Sequence, residues 1–454
     1  MPHERIWTAV ILTGAVLATG TVVVRPTAKA PAAATSFQPA ALTASAAGVR
    51  GAINDPSLHG GEATPVPTPD PTAVPTPAPT AAPTAPPPPP TAAPTAPPGG
   101  GLWFGVLQAT EAHAAQERGA GITVAALELN WSRYEPAPNQ FDAGYAAQMR
   151  GRMQALRNAG LSVVLDVGMQ YPPAWVFDVS PTTRFVDQFG DVWHGSLSED
   201  VPNAVWDNAV RNAESAYVAR VAADLGDGFY AVRAGGLLQN ELRYPHQQYN
   251  GHSNVYWGFD GAAQAQTPVP GWRPGQPGAA QASAFANWYM QSLTDFQTWL
   301  IGTYRSRFPS ATLQLLKPSW GLRPGDLAAA VARNLDGSTP AASWGTLEMG
   351  LDWQRQVDAI HDPKVQLYNS WMERGDDGGS ANTMAPAHYL ATLGAARGLV
   401  TVGENATAGD PPGVMQTIVQ RARAWGLAGL MWLDEGTLFG SSASLSVYSS
   451  LMRA

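Results

Sequence analysis

The sequence predicts an α/β fold, a (β/α)8 TIM barrel preceded by an export signal and a Pro-rich linker. Three observations carry that expectation. From Leu102 onward, short apolar runs alternate with amphipathic stretches of helical period, the pattern of βα units around a parallel sheet. Eight such runs fit within about 350 residues, which suits a barrel. The rival, a doubly wound sheet, lacks its usual mark, because no G-x-G-x-x-G follows the first strand.

The chain opens with Arg5 ahead of an uncharged run from Ile6 to Val24, then small residues and an Ala28-Lys29-Ala30 triplet of the A-x-A cleavage type. Residues 1–30 therefore read as a signal peptide. The apolar run is also long enough to span a bilayer, so an N-terminal membrane anchor is the alternative. With zero Cys there is no lipobox. Residues 31–101 are Ala-, Thr- and Pro-rich, and roughly half the positions from Thr64 to Pro98 are Pro. Such a segment is a disordered linker of polyproline II character, a semi-rigid spacer that can reach on the order of 100 Å. Residues 102–454 form the predicted barrel domain.

Its strand candidates are Leu102–Leu107, Ile122–Leu129, Leu161–Val167, Tyr230–Leu238, Thr312–Leu316, Val365–Tyr368, Leu399–Val402 and Leu427–Leu433. Helical periodicity fills the intervals at Tyr145–Asn158, Ala204–Asp224, Ala282–Arg307, Leu327–Asn334, Ala387–Ala396 and Gly413–Trp425, and after the last strand at Ala443–Met452.

Composition narrows the chemistry. Hydrophobic residues make up 45% of the chain and there are 16 Trp, enough for a large core, which excludes global disorder. A net charge of −8 with no basic run gives nucleic acid no footing as a partner. The lack of Cys removes disulfides, thiolate metal sites and a cysteine nucleophile. His246 and His252 share a loop, but no H-E-x-x-H or ligand-spaced cluster appears, so the chemistry reads as independent of metal and cofactor. Asp376-Asp377-Gly378-Gly379 is too short for a calcium loop and reads as a turn. No G-x-S-x-G elbow supports serine-hydrolase chemistry.

In a barrel, the site lies at the C-terminal ends of the strands. Reactive side chains concentrate there. Glu128 and Asn130 follow the second strand, Asp166, Gln170 and Tyr171 the third, and Gln239-Asn240-Glu241-Leu242-Arg243-Tyr244 the fourth. Lys317 closes the fifth, Asn369-Ser370-Trp371 the sixth, Gly403-Glu404-Asn405 the seventh and Trp432-Leu433-Asp434-Glu435 the eighth. Carboxylates closing strands four and seven face each other across the mouth. Glu241 and Glu404 are thus the candidate catalytic pair, suited to cleaving a glycosidic bond with one protonated and one ionised group. Trp131, Trp175, Trp320, Trp371 and Trp432 lie at or past strand ends, where indoles can stack on sugar rings. With Asn240, Arg243, Tyr244, Lys317 and Asn405 they complete the expected substrate-binding set. A rival assignment gives the second carboxylate role to Glu435.

Glu241-Leu242-Arg243-Tyr244-Pro245 and Gly403-Glu404-Asn405-Ala406 resemble the two catalytic segments of the β-amylases, glycoside hydrolase family 14. Lys317 resembles that family's substrate-binding lysine. Pro172-Pro173-Ala174-Trp175-Val176-Phe177-Asp178 and Phe185-Val186-Asp187-Gln188-Phe189-Gly190-Asp191 are similar to the region after strand three in β-amylases, and also to the β-galactosidases of family 42. The resemblance implies a glycoside hydrolase with Glu241 as general acid and Glu404 as the other catalytic carboxylate. Two departures bear on mechanism. Asn240 stands where β-amylases have Gly, and an Asn-Glu pair is what retaining barrel glycosidases use to hold a 2-hydroxyl. The glycine-rich loop that carries a starch-binding Asp in β-amylases is absent, since Gly168-Met169-Gln170-Tyr171 runs straight to Pro172. Glu404 accordingly reads as nucleophile or as base. The expectation is an exported hydrolase of oligo- or polysaccharides. The alternative from another class is a non-catalytic carbohydrate-binding barrel.

Overall fold

The computed structural model describes residues 101–195, 200–407, 411–440 and 444–454. The signal peptide or anchor at 1–30, and all but the last residue of the linker at 31–101, lie outside the described residues. Eight parallel strands close into a barrel: β1 (Trp103–Val106), β2 (Val124–Glu128), β3 (Ser162–Asp166), β4 (Ala231–Arg233), β5 (Thr312–Leu316), β6 (Val365–Asn369), β7 (Val400–Glu404) and β8 (Gly429–Trp432). β1 pairs with β8 to complete the ring, from Trp103 beside Gly429 to Val106 beside Trp432. A small antiparallel ribbon, Gln248–Tyr249 against His252–Ser253, decorates the β4–β5 connection. Among the described residues no helix is long and apolar enough to cross a membrane.

The strands are buried on both faces, so each one reads as a continuous apolar run. Alternation sorts the side chains. Trp103, Val124, Val164, Ala231, Leu316, Tyr368, Val402 and Met431 fill the barrel, whereas Leu315, Leu367, Leu430 and Trp432 join the layer under the helices. Large residues inside are matched by missing ones. A Cβ on Gly429 would meet the Trp103 ring at 2.1 Å, and one on Gly105 would meet Met431 Sδ at 2.3 Å.

The helices follow their capping chemistry. Asp142 accepts from Tyr145 N at the head of Ala143–Asn158, and Asp207 from Ala209 N and Val210 N at the head of Asn208–Leu225. A 29-residue helix, Ala279–Arg307, precedes β5. Leu445–Arg453 packs against the outside of the barrel through Tyr448, whose ring lies edge-on to Phe104.

Two differences from the sequence expectation have physical causes. The fourth strand was read as Tyr230–Leu238 but ends at Arg233. Gly236 adopts φ +78, and the chain doubles back so tightly that a Cβ on Gly235 would lie 1.5 Å from the Asn240 carbonyl oxygen. The helix Ala114–Ala120 was not anticipated. It is only seven residues long and has no side-chain cap to announce it.

Candidate active site

The turn that shortens β4 also delivers Glu241. Asn240 Oδ1 accepts from the Gly235 and Gly236 amides at 3.0 and 2.9 Å, which holds a short 3-10 turn at Leu238–Asn240. Gln239 and Asn240 both take φ 55, a left-handed conformation that Asn tolerates better than most residues. The chain then straightens, and Leu242 N donates to Leu316 O at 2.9 Å, which seats Glu241 at the C-terminal end of β5. Arg243 Nε donates to Glu241 Oε2 at 2.9 Å, and Ser370 Oγ donates to Oε1 at 2.9 Å. The Arg243 guanidinium is itself steadied by Gln239 Oε1.

Glu404 closes β7 and faces inward. The Tyr368 hydroxyl and Arg233 Nη2 both approach its Oε2, the arginine at 3.3 Å. Arg233 also faces Asp166 Oδ2 at 3.8 Å. Burial lifts the Glu404 carboxyl above the ordinary range. Arg233 and the Tyr368 hydroxyl work against that rise, while the charges of Glu241 and Asp166 add to it. Tyr368 and Ser370 occupy successive inward positions of β6 and its end, and one serves Glu404 while the other serves Glu241. The Glu241 charge is felt at Glu404, and donors two residues apart hold the two groups, so the two carboxylates flank one shared space at the mouth.

A third acid borders that space. Glu128 at the end of β2 accepts from the Tyr171 hydroxyl at 2.5 Å and from Gln170 Nε2 at 3.1 Å. Burial, then the Asp166 charge, pushes it up to about 7, with Tyr171, Arg233 and Gln170 opposing. The mouth therefore gathers Glu128, Asp166, Glu241 and Glu404 around Arg233 and Arg243, a charge set that can hold a proton on one carboxyl while another stays ionised.

An aromatic group extends from Glu241. Trp320 stacks on Trp344 with centroids 5.2 Å apart, and Trp371, next to Ser370, lies edge-on to Trp320 and tilted toward Trp344. Trp344 and Trp371 are half-buried, which leaves ring surface for a ligand. Trp175 is also half-buried, with its indole N–H donated to Glu135 O at 3.0 Å.

Several expected substrate-binding residues are corrected by their surroundings. Leu316 points into the barrel, so alternation turns Lys317 outward. It is fully buried there, with its ammonium between Gln297 Oε1 and Gln356 Oε1, the latter at 2.8 Å, on two helices of the outer layer. Burial pulls its pKa well down. Trp432 lies outward for the same reason, buried against Tyr448. Trp131 is buried on Tyr217, its N–H donated to Glu135 at 3.0 Å. Tyr244 is sandwiched between Trp206 and Tyr289, its hydroxyl donating to Tyr289 O at 2.9 Å. Asn405 is a staple, giving Nδ2 to Leu433 O at 3.0 Å and accepting Leu433 N at 2.7 Å. Asn240 differs from these, because it commits only Oδ1 to the glycine amides and keeps a buried Nδ2 with no hydrogen-bond partner in the protein, so its place in the expected set stands as an expectation. Glu435, the rival carboxylate, is tied to Thr110 N at 2.7 Å and His113 Nδ1 at 3.2 Å in the segment after β1.

Lys317→Met is accordingly expected to leave the KM for a saccharide within about two-fold. Loss of a hydrogen bond from a charged donor to the sugar would cost about 1.5–3 kcal/mol, more than ten-fold in binding. Steady-state kinetics on the folded variant decide between the two roles.

The residues that sequence reasoning did not single out are Arg233, Tyr368 and Trp344. The first two lie inside apolar strand runs. The available signal was parity with Glu404 and Asp166 on the inward face.

No protein-family model matches the sequence, and no curated protein matches it. Solved structures do match the fold. The catalytic domain of β-amylase from Paenibacillus polymyxa superposes with a TM-score of 0.59 at 16% identity, over 78% of this chain and 98% of that one. The β-galactosidases of the psychrophilic Marinomonas ef1 and of the Antarctic haloarchaeon Halorubrum lacusprofundi each give 0.51, at 12% and 14% identity, over 78% of this chain. The chain spans 59% and 58% of those two proteins' lengths. The class that fold and topology define is thus the closed (β/α)8 barrel. Within that class the chain resembles β-amylase and β-galactosidase catalytic barrels.

Proposed function

We propose that the chain is an exported glycoside hydrolase that cleaves O-glycosidic bonds of oligo- or polysaccharides. Its domain at 102–454 would be held on the linker at 31–101, after a signal peptide or membrane anchor at 1–30. The observation that carries the catalytic part is that Glu404 and Glu241 accept from Tyr368 within β6 and from Ser370 just past its end, two residues apart in the chain. That geometry suits a glycosidic oxygen and anomeric carbon held between two carboxyl groups. In this reading Glu241 gives its proton to the leaving oxygen. Glu404, held by Arg233 and Tyr368 through Oε2, keeps Oε1 for attack on the anomeric carbon or for deprotonating water. Trp371 and Trp344 offer apolar faces to the sugar beyond the cleaved bond.

One observation favours a second reading with the roles exchanged. Glu241 is paired with Arg243, whereas burial raises Glu404, as a proton donor requires. Aryl glycosides with good leaving groups distinguish the two, because the variant lacking the acid retains activity on them and the variant lacking the other carboxylate does not.

The function itself is tested by a reducing-sugar assay over a panel of polysaccharides, with Glu241→Gln as control. Turnover lost in the variant is the expected result. Saccharide binding without turnover by the unaltered protein would instead identify a carbohydrate-binding barrel. The anomeric configuration of the first product, read by NMR, separates attack by Glu404 across about 5–5.5 Å from water activation across about 6.5–9.5 Å.

A further inference from the structure

The mouth carries more negative charge than its own cations neutralise. Strand register sets Glu128, Asp166 and Arg233 side by side at the ends of β2, β3 and β4, with Glu128 beside Asp166 and Asp166 beside Arg233. All three share the inward parity of Ala126, Val164 and Ala231. Arg243 is paired with Glu241, so Arg233 is left to serve Glu404, Asp166 and Glu128, whose charges all bear on it. It reaches Glu404 at 3.3 Å but stands 3.8 Å from Asp166 Oδ2, beyond hydrogen-bond range. The polar atoms left over on this side are acceptors. Glu128 takes both its donors, Tyr171 and Gln170, on Oε1, so Oε2 accepts nothing from the described residues. Asp166 accepts the Gly168 amide through Oδ1 at 2.9 Å and has only the distant Arg233 facing Oδ2. Gln170 is 8% exposed, and the amide that gives Nε2 to Glu128 keeps its Oε1 buried without a donor.

From this row of free acceptors beside one shared guanidinium we infer that the β2–β3 side of the mouth is a subsite for an amino sugar, whose protonated primary amine is taken by Glu128 Oε2 and Asp166 Oδ2. The inference rests on the glycoside hydrolase reading and adds a substrate class to it. An ammonium group brings donors and no acceptor, which matches a set of atoms that can only accept, and it brings the charge that Arg233 alone does not supply. A neutral hydroxyl gives one hydrogen and no charge. Its own lone pairs find no donor there, because the Tyr171 hydroxyl and the Gln170 amide are already committed to Glu128. An N-acetyl group removes the charge and leaves a single N–H. Hydrogen bonds between charged partners are about twice as strong as neutral ones, so the free amine is favoured over both. The ring that carries it is the one next to Glu404, since Arg233 stands between Asp166 and Glu404, whereas Trp320, Trp344 and Trp371 belong to the connections after β5 and β6. Glu128 is then a specificity residue of this subsite.

The test is calorimetric titration of the full chain at neutral pH with three pairs of monosaccharides: glucosamine against glucose, galactosamine against galactose, and mannosamine against mannose. Each pair isolates the amine and is free of any question of linkage. In at least one pair the amine is expected to bind about ten-fold tighter or more, the worth of a hydrogen bond to a charged partner, and the N-acetylated sugar no tighter than the parent. Glu128→Gln, which keeps the side chain's volume, should bring the ratio of amine to parent back to about one. An amine bound no tighter than its parent in all three pairs, or not bound at all, overturns the inference, and this comparison needs no variant to fold. A preference undiminished in folded Glu128→Gln overturns it as well. Turnover of oligosaccharides, with Glu241→Gln as control, separates the two readings. Preference for the amine without turnover removes the hydrolase and leaves the subsite, whereas turnover of neutral saccharides with no preference for the amine removes the subsite alone.

Discussion

Glu404→Gln is expected to lower kcat on a saccharide substrate by about 10³-fold or more, with little change in fold. The amide keeps the side chain's volume and can still meet Tyr368 and Arg233, but it can neither attack nor take a proton. Glu435→Gln should lose less than about ten-fold, because that carboxylate is occupied by Thr110 and His113 in the segment after β1. Measured kcat values for the two variants settle the assignment. A 10³-fold loss at 435 with none at 404 would reverse it.

The second large effect concerns Arg233. Its guanidinium lies between Glu404 and Asp166 and is nearly sequestered from solvent. A neighbouring cation lowers a carboxyl pKa by about 1–3 units, so Arg233→Met should raise that of Glu404 further by a comparable amount. If Glu404 must be ionised, activity is lost as pH falls through its pKa. The acidic limb of the kcat/KM profile then moves to higher pH, and the rate at pH 5 falls about 10–100-fold. If Glu404 were the proton donor, the alkaline limb would move up instead and the rate at pH 5 would hold. Arg233→Lys, which keeps a charge, should restore most of the profile. Arg233→Met also leaves two buried carboxylates without their cation and should lose about 3–5 kcal/mol of stability, which chemical denaturation would register.

Much of the barrel was legible because strands buried on both faces carry unbroken apolar runs. Thr312–Leu316 coincides with β5 to the residue. The run from Tyr230 reads as one long strand because Leu237 and Leu238 continue it. Only the Gly235-Gly236 pair hints that the backbone reverses there. The carboxylates were legible for a different reason: an acid that ends an apolar strand has few places to go but the mouth. Lysine and tryptophan at the same ends are ambiguous, because a strand's last residue can point either way. Counting from Leu316 and Met431 on the inside places Lys317 and Trp432 on the outside. Counting from Glu404 through the ladder to β6 finds Tyr368. Trp344 left no such trace, since it belongs to a connection whose path the linear chain does not encode.

β6 and the residue just past it donate to the two carboxylates, and this limits how the site can vary. Tyr368 sits within β6 and Ser370 one residue past its end, so the anchoring of Glu404 is tied to the sheet and that of Glu241 to the first residue of the connection that follows. Changes of ligand preference are then left to the connection bearing Trp320 and Trp344, which can be rebuilt without touching either donor, whereas rebuilding around Trp371 also displaces the hydroxyl that holds one acid.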